Sequence, residues 1–257
     1  MKSTNSYFLP LGIFCLIWIT NLSAQTPESS HLFLFEDCRA HPNEVTVWEK
    51  GVTDFLVHYN KQNYPYSFSA FSTDDYHYYW FFPIKNFADI DHFYNETNSL
   101  GESINPDSMA SINQKLWVGY EYCDWGIYKK DPSLLYNPSI EYIHNIKYEY
   151  YYWDFVGIYP DMQPHFKTVI QEIISYLESK EIKTSFEVYF GDLGTRKPMC
   201  LIVRGTNDPL KFRNLSDYIS NLIGLENKPI TDRFNSCLRS IQSKSGKYRK
   251  DLSYKAE

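Results

Sequence analysis

The chain contains an internal duplication, and this feature limits its possible folds more than any other. Residues 126–131 (GIYKKD) recur as residues 246–251 (GKYRKD), a shift of 120 positions. Two further pairs of segments recur at shifts of 122 and 118 positions: 112–116 with 234–238, and 67–68 with 185–186. Near-constant shifts at three separate anchors indicate one structural unit present twice, because each copy must keep the same elements in the same order.

Hydrophobic periodicity gives both copies the same predicted elements. Residues 166–177 carry apolar side chains at helical spacing, and Pro164 suits the first turn of that helix because its missing N–H would have no partner there. The first copy is predicted to contain strands at 31–36, 67–71 and 76–82 and helices at 42–61, 87–97 and 106–117. The second copy is predicted to contain strands at 148–159, 184–190 and 199–204 and helices at 164–180, 210–223 and 230–243. Each copy is therefore β-α-β-β-α followed by a terminal helix.

The repeated glycine-tyrosine motif is interpreted as structural. Gly126 and Gly246 follow predicted terminal helices, so we expect each glycine to end its helix in a left-handed conformation. The following tyrosine, Tyr128 or Tyr248, would then hold the tail against the unit. Active-site residues usually diverge after a duplication, whereas packing contacts need not diverge. A motif that occurs once in each copy therefore favours a packing role.

The first 24 residues have the pattern of an export signal. Lys2 precedes an apolar run over 7–20, and Ala24 is a small residue at a suitable cleavage position. The run is shorter than the roughly 20 residues that a membrane-spanning helix needs, and bulky Phe14 disfavours lipidation of Cys15. We predict a signal peptide at 1–24, repeats at 25–136 and 148–257, and a linker at 137–147. The protein would be secreted or periplasmic, with no stable membrane insertion after processing.

Charge and cysteine content narrow the classes of partner. The net charge is −6 with both signs interspersed, which disfavours nucleic acid because phosphate binding needs a concentrated basic surface. Cys38, Cys123, Cys200 and Cys237 follow the predicted cleavage site without the paired spacing of a zinc site. Four cysteines allow three pairings, and the sequence does not choose among them. Cys200, in an apolar strand, is expected to be a small buried hydrophobic residue.

Motifs for metals and cofactors are missing from the sequence. No two histidines stand four residues apart, and there is no dinucleotide fingerprint, phosphate-binding loop or nucleophile elbow. Residues 191–194 (GDLG) are interpreted as a hairpin turn. We therefore expect no metal site and no cofactor, with no motif for haem or non-haem iron.

The element order and the tandem repeat resemble the ferredoxin-like units of the dimeric α/β-barrel superfamily, which includes the antibiotic-biosynthesis-monooxygenase and NIPSNAP-like groups. The resemblance covers nearly all of the chain after residue 24 and implies an α+β fold. Two ferredoxin-like units would place their sheets face to face as one pseudo-twofold barrel with helices outside. Such a fused pair implies a monomer with an internal pseudo-dimer. The repeated motif also looks like that of exported bacterial proteins of unknown function.

Strand alternation predicts which side chains would face the lumen of such a barrel, because successive residues point to opposite faces. We assign the more polar set of each strand to the lumen. This set comprises Ser67, Ser69, Phe71, His77, Tyr79, Phe81, Ser185, Glu187, Tyr189, Cys200, Ile202 and Arg204. The candidate ligand-binding residues within it are Ser69, His77, Tyr79, Glu187, Tyr189 and Arg204. The structural alternative is a histidine bonded to a neighbouring tyrosine, with Glu187 and Arg204 as an ion pair.

Three functional hypotheses follow. The first is an exported protein that binds a small, partly apolar ligand in an aromatic lumen, since 18% of residues are aromatic and flat rings stack on ligand rings. The second is an enzyme like the cofactor-independent monooxygenases or isomerases, with His77 as general acid or base. The third is a scaffold with a filled barrel. An open cavity on the order of a few hundred cubic ångströms would favour the first two hypotheses.

Overall fold

A computed structural model describes most of the chain. The described residues are 32–136, 148–182, 184–196, 198–210, 213–214, 217, 224 and 227–256. The predicted signal peptide, the predicted linker and most of the predicted helix at 210–223 lie outside these residues. Within them, no helix is both long enough and apolar enough to cross a membrane.

The two units contain corresponding strands and helices. The first unit consists of β1 (Leu32–Ala40), α1 (Val45–Lys61), β2 (Ser69–Thr73), β3 (His77–Ile84), α2 (Ala88–Ser103), α3 (Pro106–Gly119) and β4 (Tyr120–Tyr136). The described part of the second unit consists of β5 (Tyr150–Ile158), α4 (Gln163–Ser179), β6 (Phe186–Gly191), β7 (Met199–Thr206), α5 (Lys228–Cys237) and β8 (Leu238–Tyr248), followed by a short 3₁₀ helix (Lys250–Leu252). The predicted elements before each terminal strand are found within about three residues of their predicted bounds in α1, β2, β3, α3, β5, α4, β6 and β7. β1 and α2 continue four and six residues past their predicted ends, to Ala40 and Ser103.

Each unit ends in a long strand that the sequence-based prediction missed. β4 follows α3 directly, and the predicted helix at 230–243 is helical only to Cys237 and then becomes β8. The predicted helix-ending role of Gly126 and Gly246 is therefore wrong. A Cβ on Gly246 would lie 2.1 Å from the carbonyl oxygen of Ser72, so glycine here permits the close approach of β8 to the end of β2.

The tail of the chain is held by a different tyrosine from the one predicted. Tyr128 of the repeated motif packs in the lumen, and Tyr248 packs against the same lumen cluster. Tyr254 instead pairs with Phe68 in an isolated bridge, and its hydroxyl donates to the carbonyl oxygens of Tyr59 and Tyr64 at 3.3 and 3.1 Å. These contacts fasten the C-terminal segment of the second unit to the first unit.

The eight strands form one closed barrel in the order β1-β3-β2-β8-β5-β7-β6-β4. Every pair of neighbours is antiparallel, and the β2–β8 and β4–β6 pairs join the two units. Each unit contributes strands in the ferredoxin-like order, β4-β1-β3-β2 and β8-β5-β7-β6. The predicted α+β fold, a pseudo-twofold α/β barrel of two tandem ferredoxin-like units, is confirmed.

The helices cover the outer face of the barrel with two apolar layers. In the first unit, Trp48 of α1 and Phe93 of α2 pack with the outward side chains of β1 and β3. In the second unit, Phe166 and Ile170 of α4 pack with the outward side chains of β5 and β6. Fully burying a large apolar side chain stabilises the fold by about 1.5–3 kcal/mol, so these layers hold the sheet in its curved form.

A third cluster of buried side chains, most of them aromatic, fills the lumen. It comprises Phe33, Phe35, Phe71, Tyr79, Phe81, Tyr128, Tyr151, Trp153, Tyr189, Leu201 and Val203. The predicted inward direction of Phe71, Tyr79, Phe81 and Tyr189 is therefore confirmed. The rings meet mostly edge to face, for example Phe35 and Phe81 at 4.9 Å between centroids, a geometry that aromatic pairs prefer.

The predicted inward direction of Cys200, Ile202 and Arg204 is wrong. Leu201 and Val203 face the lumen instead, so the alternate residues of β7 point outward. Cys200 packs with the outer layer, and Arg204 donates to Asp154 on the outer face at 2.6 Å. β7 is apolar on both faces, so the polarity of its residues could not show which face points to the lumen. Cys200 is nevertheless buried with a free thiol, as predicted.

Cys38 and Cys123 form a disulfide across β1 and β4. The two residues lie directly opposite each other in the strand register. Cys237 is buried and free, like Cys200. The structure thus has one disulfide and two free thiols, so it matches none of the three complete pairings that the sequence left open.

Glu36, on the outer face of β1, gives a prediction about pH. Burial raises the pKa of its carboxyl from 4.5 to about 7. A group with a raised pKa binds more protons folded than unfolded, so stability falls as pH rises from about 4.5 through 7. The free energy of unfolding should fall between pH 5 and pH 8 in the wild type. In Glu36→Gln this fall should be smaller by up to about 3 kcal/mol, as measured by urea unfolding at the two pH values. An equal loss in both proteins would contradict this assignment.

Candidate ligand-binding site at the mouth of the barrel

A cavity of about 680 Å³ opens at one end of the barrel, which we call the mouth. Its walls come from β1, β3 and β4 of the first unit and from β5, β8 and the β6–β7 turn of the second. Both units contribute because β1 and β5 run in the same direction in the antiparallel barrel, so their C-terminal ends lie at the same end of it. The volume lies in the range of roughly 300–1,000 Å³ that is usual for small-molecule sites.

The floor of the cavity is aromatic. Phe35, Tyr79, Tyr128 and Phe155 line it, and Phe35 lies 5.2 Å from Tyr79 and 5.3 Å from Tyr128 between ring centroids. The hydroxyl of Tyr79 is buried and has no hydrogen-bond partner within the described residues. Burial, with the nearby charges of Asp37 and Asp75, raises the pKa of Tyr79 well above its usual value. The hydroxyl therefore stays protonated, and it can donate to a ligand once a small side-chain shift opens it to the cavity.

A histidine between two carboxylates forms one wall. His77 Nδ1 lies 2.7 Å from Asp37 Oδ1, and His77 Nε2 lies 3.8 Å from Asp75 Oδ2. The short contact favours a tautomer in which Nδ1–H donates to Asp37, and the lone pair is then on Nε2. His77 is buried, so its ring is held in one orientation by the carboxylate and the surrounding strands. This arrangement can accept a proton at Nε2.

The second carboxylate links the two units. Asp75 accepts hydrogen bonds from Lys244 of β8 and from Thr73 Oγ1. Burial acts to raise the pKa of Asp75, but the hydrogen bonds from Lys244 and Thr73 outweigh burial and the pKa is lowered. Asp75 therefore remains an anion beside His77 at neutral pH. The pair fixes the β2–β3 turn against β8 at the mouth.

Further charged groups surround the opening. Arg39 Nη1 lies 3.1 Å from Glu121 Oε2, while its Nε is buried and has no partner within the described residues. Asp124 of β4 and Arg196 of the β6–β7 turn also line the cavity. Donors and acceptors of both charges thus stand above an aromatic floor, which suits a molecule with an apolar ring and polar substituents.

The structure separates the predicted ligand-binding residues into three places. His77 and Tyr79 line the cavity. Ser69, Glu187 and Tyr189 are buried and are not part of its lining. Arg204 lies on the outer face, as described above.

Glu187 makes a different ion pair from the one considered in the sequence. Lys130 Nζ lies 2.6 Å from Glu187 Oε2, and the Tyr189 hydroxyl donates to Glu187 at 2.7 Å. Glu187 is fully buried. The arrangement therefore has the geometry of a packing cluster inside the barrel and not that of an open site.

Sequence reasoning missed several lining residues. Asp37 and Arg39 lie beyond the predicted end of the first strand, and strand alternation would have placed them inward with Phe35 had that strand been extended. Lys244 was hidden because residues up to 243 were predicted as helix. No local signal marks Arg196, which reaches the mouth only through the position of the β6–β7 turn.

One group of side chains in the described part of the chain has the proximity of a three-ligand metal site. It comprises Glu36, Cys38 and Cys123, whose donor atoms lie within 4.8 Å of one another. The two cysteines are joined in a disulfide, and metals bind thiolates. In this oxidised state the group does not present a metal site.

Comparisons with known proteins agree on the fold. An anthrone oxidase-like protein superposes with a TM-score of 0.57 at 11% identity, over 86% of this chain and 92% of that chain. A mutant chlorite dismutase from Candidatus Nitrospira defluvii superposes with a TM-score of 0.54 at 9% identity, over 87% of this chain and 93% of that chain. No protein-family model matches the sequence, and no curated protein matches it. At these identities the likeness concerns the fold alone.

Proposed function

We propose that this protein, which has the dimeric α/β-barrel fold, is exported and binds a small, partly apolar molecule at the mouth of its barrel. The observation that carries the proposal is an aromatic cavity floor that includes Tyr79, whose buried hydroxyl has no hydrogen-bond partner in the part of the chain that the structure describes. An unsatisfied buried polar group costs about 1–3 kcal/mol. A ligand atom that accepts a hydrogen bond from Tyr79 would remove that cost, so the cavity is better matched to a ligand than to an empty state.

The position of the cavity refines the sequence-based hypothesis. The middle of the lumen is filled by aromatic side chains, as a scaffold would require. The mouth above them is open and carries charged groups. The ligand would therefore lie on the floor rings, with its polar substituents toward Tyr79, His77 and the surrounding charges.

The disulfide supports the export part of the proposal. Disulfides persist in oxidising compartments and are rare in the cytosol. Cys38–Cys123 is such a bond, and the predicted signal peptide would deliver the chain to that environment. Mass spectrometry of the protein from its own source should give an N-terminus near Gln25. An intact N-terminus would contradict cleavage.

Ligand binding can be measured with an aromatic anion as probe. Anilinonaphthalene sulfonate should bind saturably, and Tyr79→Phe should weaken its affinity about 3- to 10-fold, the effect of one lost hydrogen bond. Fluorescence titration gives the dissociation constant. Tyr136→Phe is the matched control, because that hydroxyl bonds to the Ile182 carbonyl away from the cavity. Equal effects of the two substitutions, or binding that does not saturate, would argue against the site.

A second candidate function, general-base catalysis, rests on the His77–Asp37 pair. Nε2 of His77 would take a proton from an activated aromatic substrate, while Asp37 stabilises the resulting imidazolium. The anthrone oxidase-like neighbour makes anthrone, assayed in air, a reasonable first probe.

His77→Ala distinguishes an enzyme from a carrier. In an enzyme the substitution should lower turnover about 100-fold or more, whereas in a carrier it should only weaken binding. His165→Ala, an exposed histidine on α4, is the matched control for loss of an imidazole. Wild-type protein that binds anthrone without converting it would favour the carrier.

A further inference from the structure

We propose that two copies of this chain dimerise mouth to mouth, with an unpaired edge of β4 in one copy adding to an unpaired edge of β8 in the other. The partner is a second copy because the two edges carry opposite charges. Each copy would supply one edge of each kind, so the dimer would contain two equivalent contacts.

The first edge is the N-terminal part of β4, which we call the β4 edge (residues 120–126). β4 pairs with β1 from Tyr120 to Lys129, but with β6 only from Tyr128 onward. The backbone of Ile127 bonds to the β6–β7 turn at Leu193 and Asp192. Before Ile127, the side of β4 away from β1 has no strand partner among the described residues.

The second edge is the N-terminal part of β8, which we call the β8 edge (residues 238–244). β8 pairs with β5 from Leu238 to Lys247, but with β2 only from Gly246 to Tyr248. The Ser245 carbonyl accepts a hydrogen bond from Asp74 N–H, which closes the ladder. In the described part of the chain, the side of β8 away from β5 is therefore unpaired before Ser245.

Both edges project at the same end of the barrel. Successive neighbours alternate in direction around the ring, so β4 and β8 run in the same direction. Their N-terminal halves therefore both extend beyond the rim, on either side of the cavity. In a mouth-to-mouth dimer the second copy is inverted, so its β8 runs antiparallel to β4 of the first copy. Antiparallel addition to an open edge satisfies backbone donors and acceptors on both strands.

Charge and apolar surface favour pairing of unlike edges. Residues 121–125 and 239–243 are each exposed throughout. The β4 edge contains Glu121 and Asp124 and no basic residue, whereas the β8 edge contains Arg239 and Lys244 and no acidic residue. Glu121 and Lys244 already pair with Arg39 and Asp75 of the same copy, so the charges available to a second copy are those of Asp124 and Arg239. These two charges favour contact between unlike edges and disfavour contact between like edges.

Each edge also exposes a large apolar side chain. Trp125 of the β4 edge is 44% exposed, and Ile241 of the β8 edge is 54% exposed. An open strand edge with exposed apolar residues is a surface on which another strand can be added. The fusion of two units forms the β2–β8 and β4–β6 contacts but, among the described residues, leaves the two edges without a strand partner. Fusion therefore does not by itself enforce the monomer that the sequence-based resemblance implies.

Charge reversal with mixing tests the proposal. Glu121 and Lys244 already contact Arg39 and Asp75, so the variants are Asp124→Arg and Arg239→Glu, whose residues make no ion pair within the described residues. On the chain from residue 25 onward, sedimentation velocity should give a dimer at micromolar concentration in about 50 mM salt, weakened by higher salt. Each variant alone should dimerise at least about tenfold more weakly.

The decisive measurement is the dimerisation of a mixture of the two variants. The mixed dimer has one native acid–base contact and one reversed contact, so its affinity should return to within about threefold of the wild type. Hydrogen exchange should show slower exchange of amides in both edges on dimerisation. Far-UV circular dichroism checks that each variant is folded. A monomer at all concentrations, failure of the mixture to recover, or a dimer without protection at the edges would overturn the proposal.

Discussion

Replacing both Cys38 and Cys123 by serine should lower the free energy of unfolding by about 4–5 kcal/mol. The disulfide joins residues 85 positions apart, and a cross-link that closes so long a loop removes much of the entropy of the unfolded chain. For a chain of this size each kcal/mol corresponds to about 2–4 °C, so the Tm should fall by about 10–15 °C. Thermal and urea unfolding measure both quantities.

The matched control for this prediction is Cys237→Ala, which removes a buried free thiol without cutting a cross-link. Its cost should be limited to about 1 kcal/mol from the small cavity. Wild-type protein treated with a dithiol reductant should behave like the double-serine variant. A wild-type protein that is insensitive to complete reduction would show that the disulfide does not stabilise the fold. Because Asp37, Arg39, Tyr122 and Asp124 flank the two cysteines, reduction should also weaken probe binding at the mouth.

Replacing Glu187 by alanine should cost about 3–5 kcal/mol. Glu187 is fully buried, and Lys130 and the Tyr189 hydroxyl both bond to its carboxylate. Removing one partner of a buried ion pair leaves the other charge in a medium that solvates it poorly. The pKa of Tyr189 is raised, chiefly by burial and then by the Glu187 charge, so its hydroxyl stays protonated and would lose its acceptor. Urea unfolding at pH 7 measures the loss.

Two comparisons separate this effect from a ligand-binding role. The triple replacement of Lys130→Met, Glu187→Leu and Tyr189→Phe should recover most of the stability, because apolar residues of similar volume replace the buried pair and no hydroxyl is left without its acceptor. Glu172→Ala breaks an ion pair with Arg233 on exposed helix surfaces and should cost less than about 1 kcal/mol. If Glu187→Gln kept its stability but lost probe binding, the packing role would be wrong and the sequence-based ligand assignment would be favoured.

The sequence predicted the early part of each unit because those elements are amphipathic. Helix α4 buries one apolar stripe, and its spacing is visible without knowledge of the fold. β4 and β8 were missed for the opposite reason. Half of each strand is exposed on successive residues, so no alternation marks it. In β8, Leu238 and Ile241 even continue the helical spacing of Phe234, which led to the wrong extension of the helix.

The candidate site was predicted in part. His77 and Tyr79 were identified because the alternate residues Trp80 and Phe82 of β3 were assigned to the helix side, which left His77 and Tyr79 facing inward. Arg204 was assigned to the wrong face because β7 is apolar on both sides, so the strand pattern does not show whether Arg204 points to the lumen or outward. Asp37 and Lys244 became candidates only when the strands were seen to extend to the mouth.

The sequence by itself determined the duplication, and with it the repeated β-α-β-β-α order of a ferredoxin-like pair. Periodicity determines this much because it reports which face of a local element avoids water. The tertiary structure decided which cysteines pair, which glycine permits a close strand approach and where the barrel opens. Those features depend on the register between strands far apart in the chain, such as Cys38 with Cys123. Register is set by packing of both units together, and a local pattern carries no record of it.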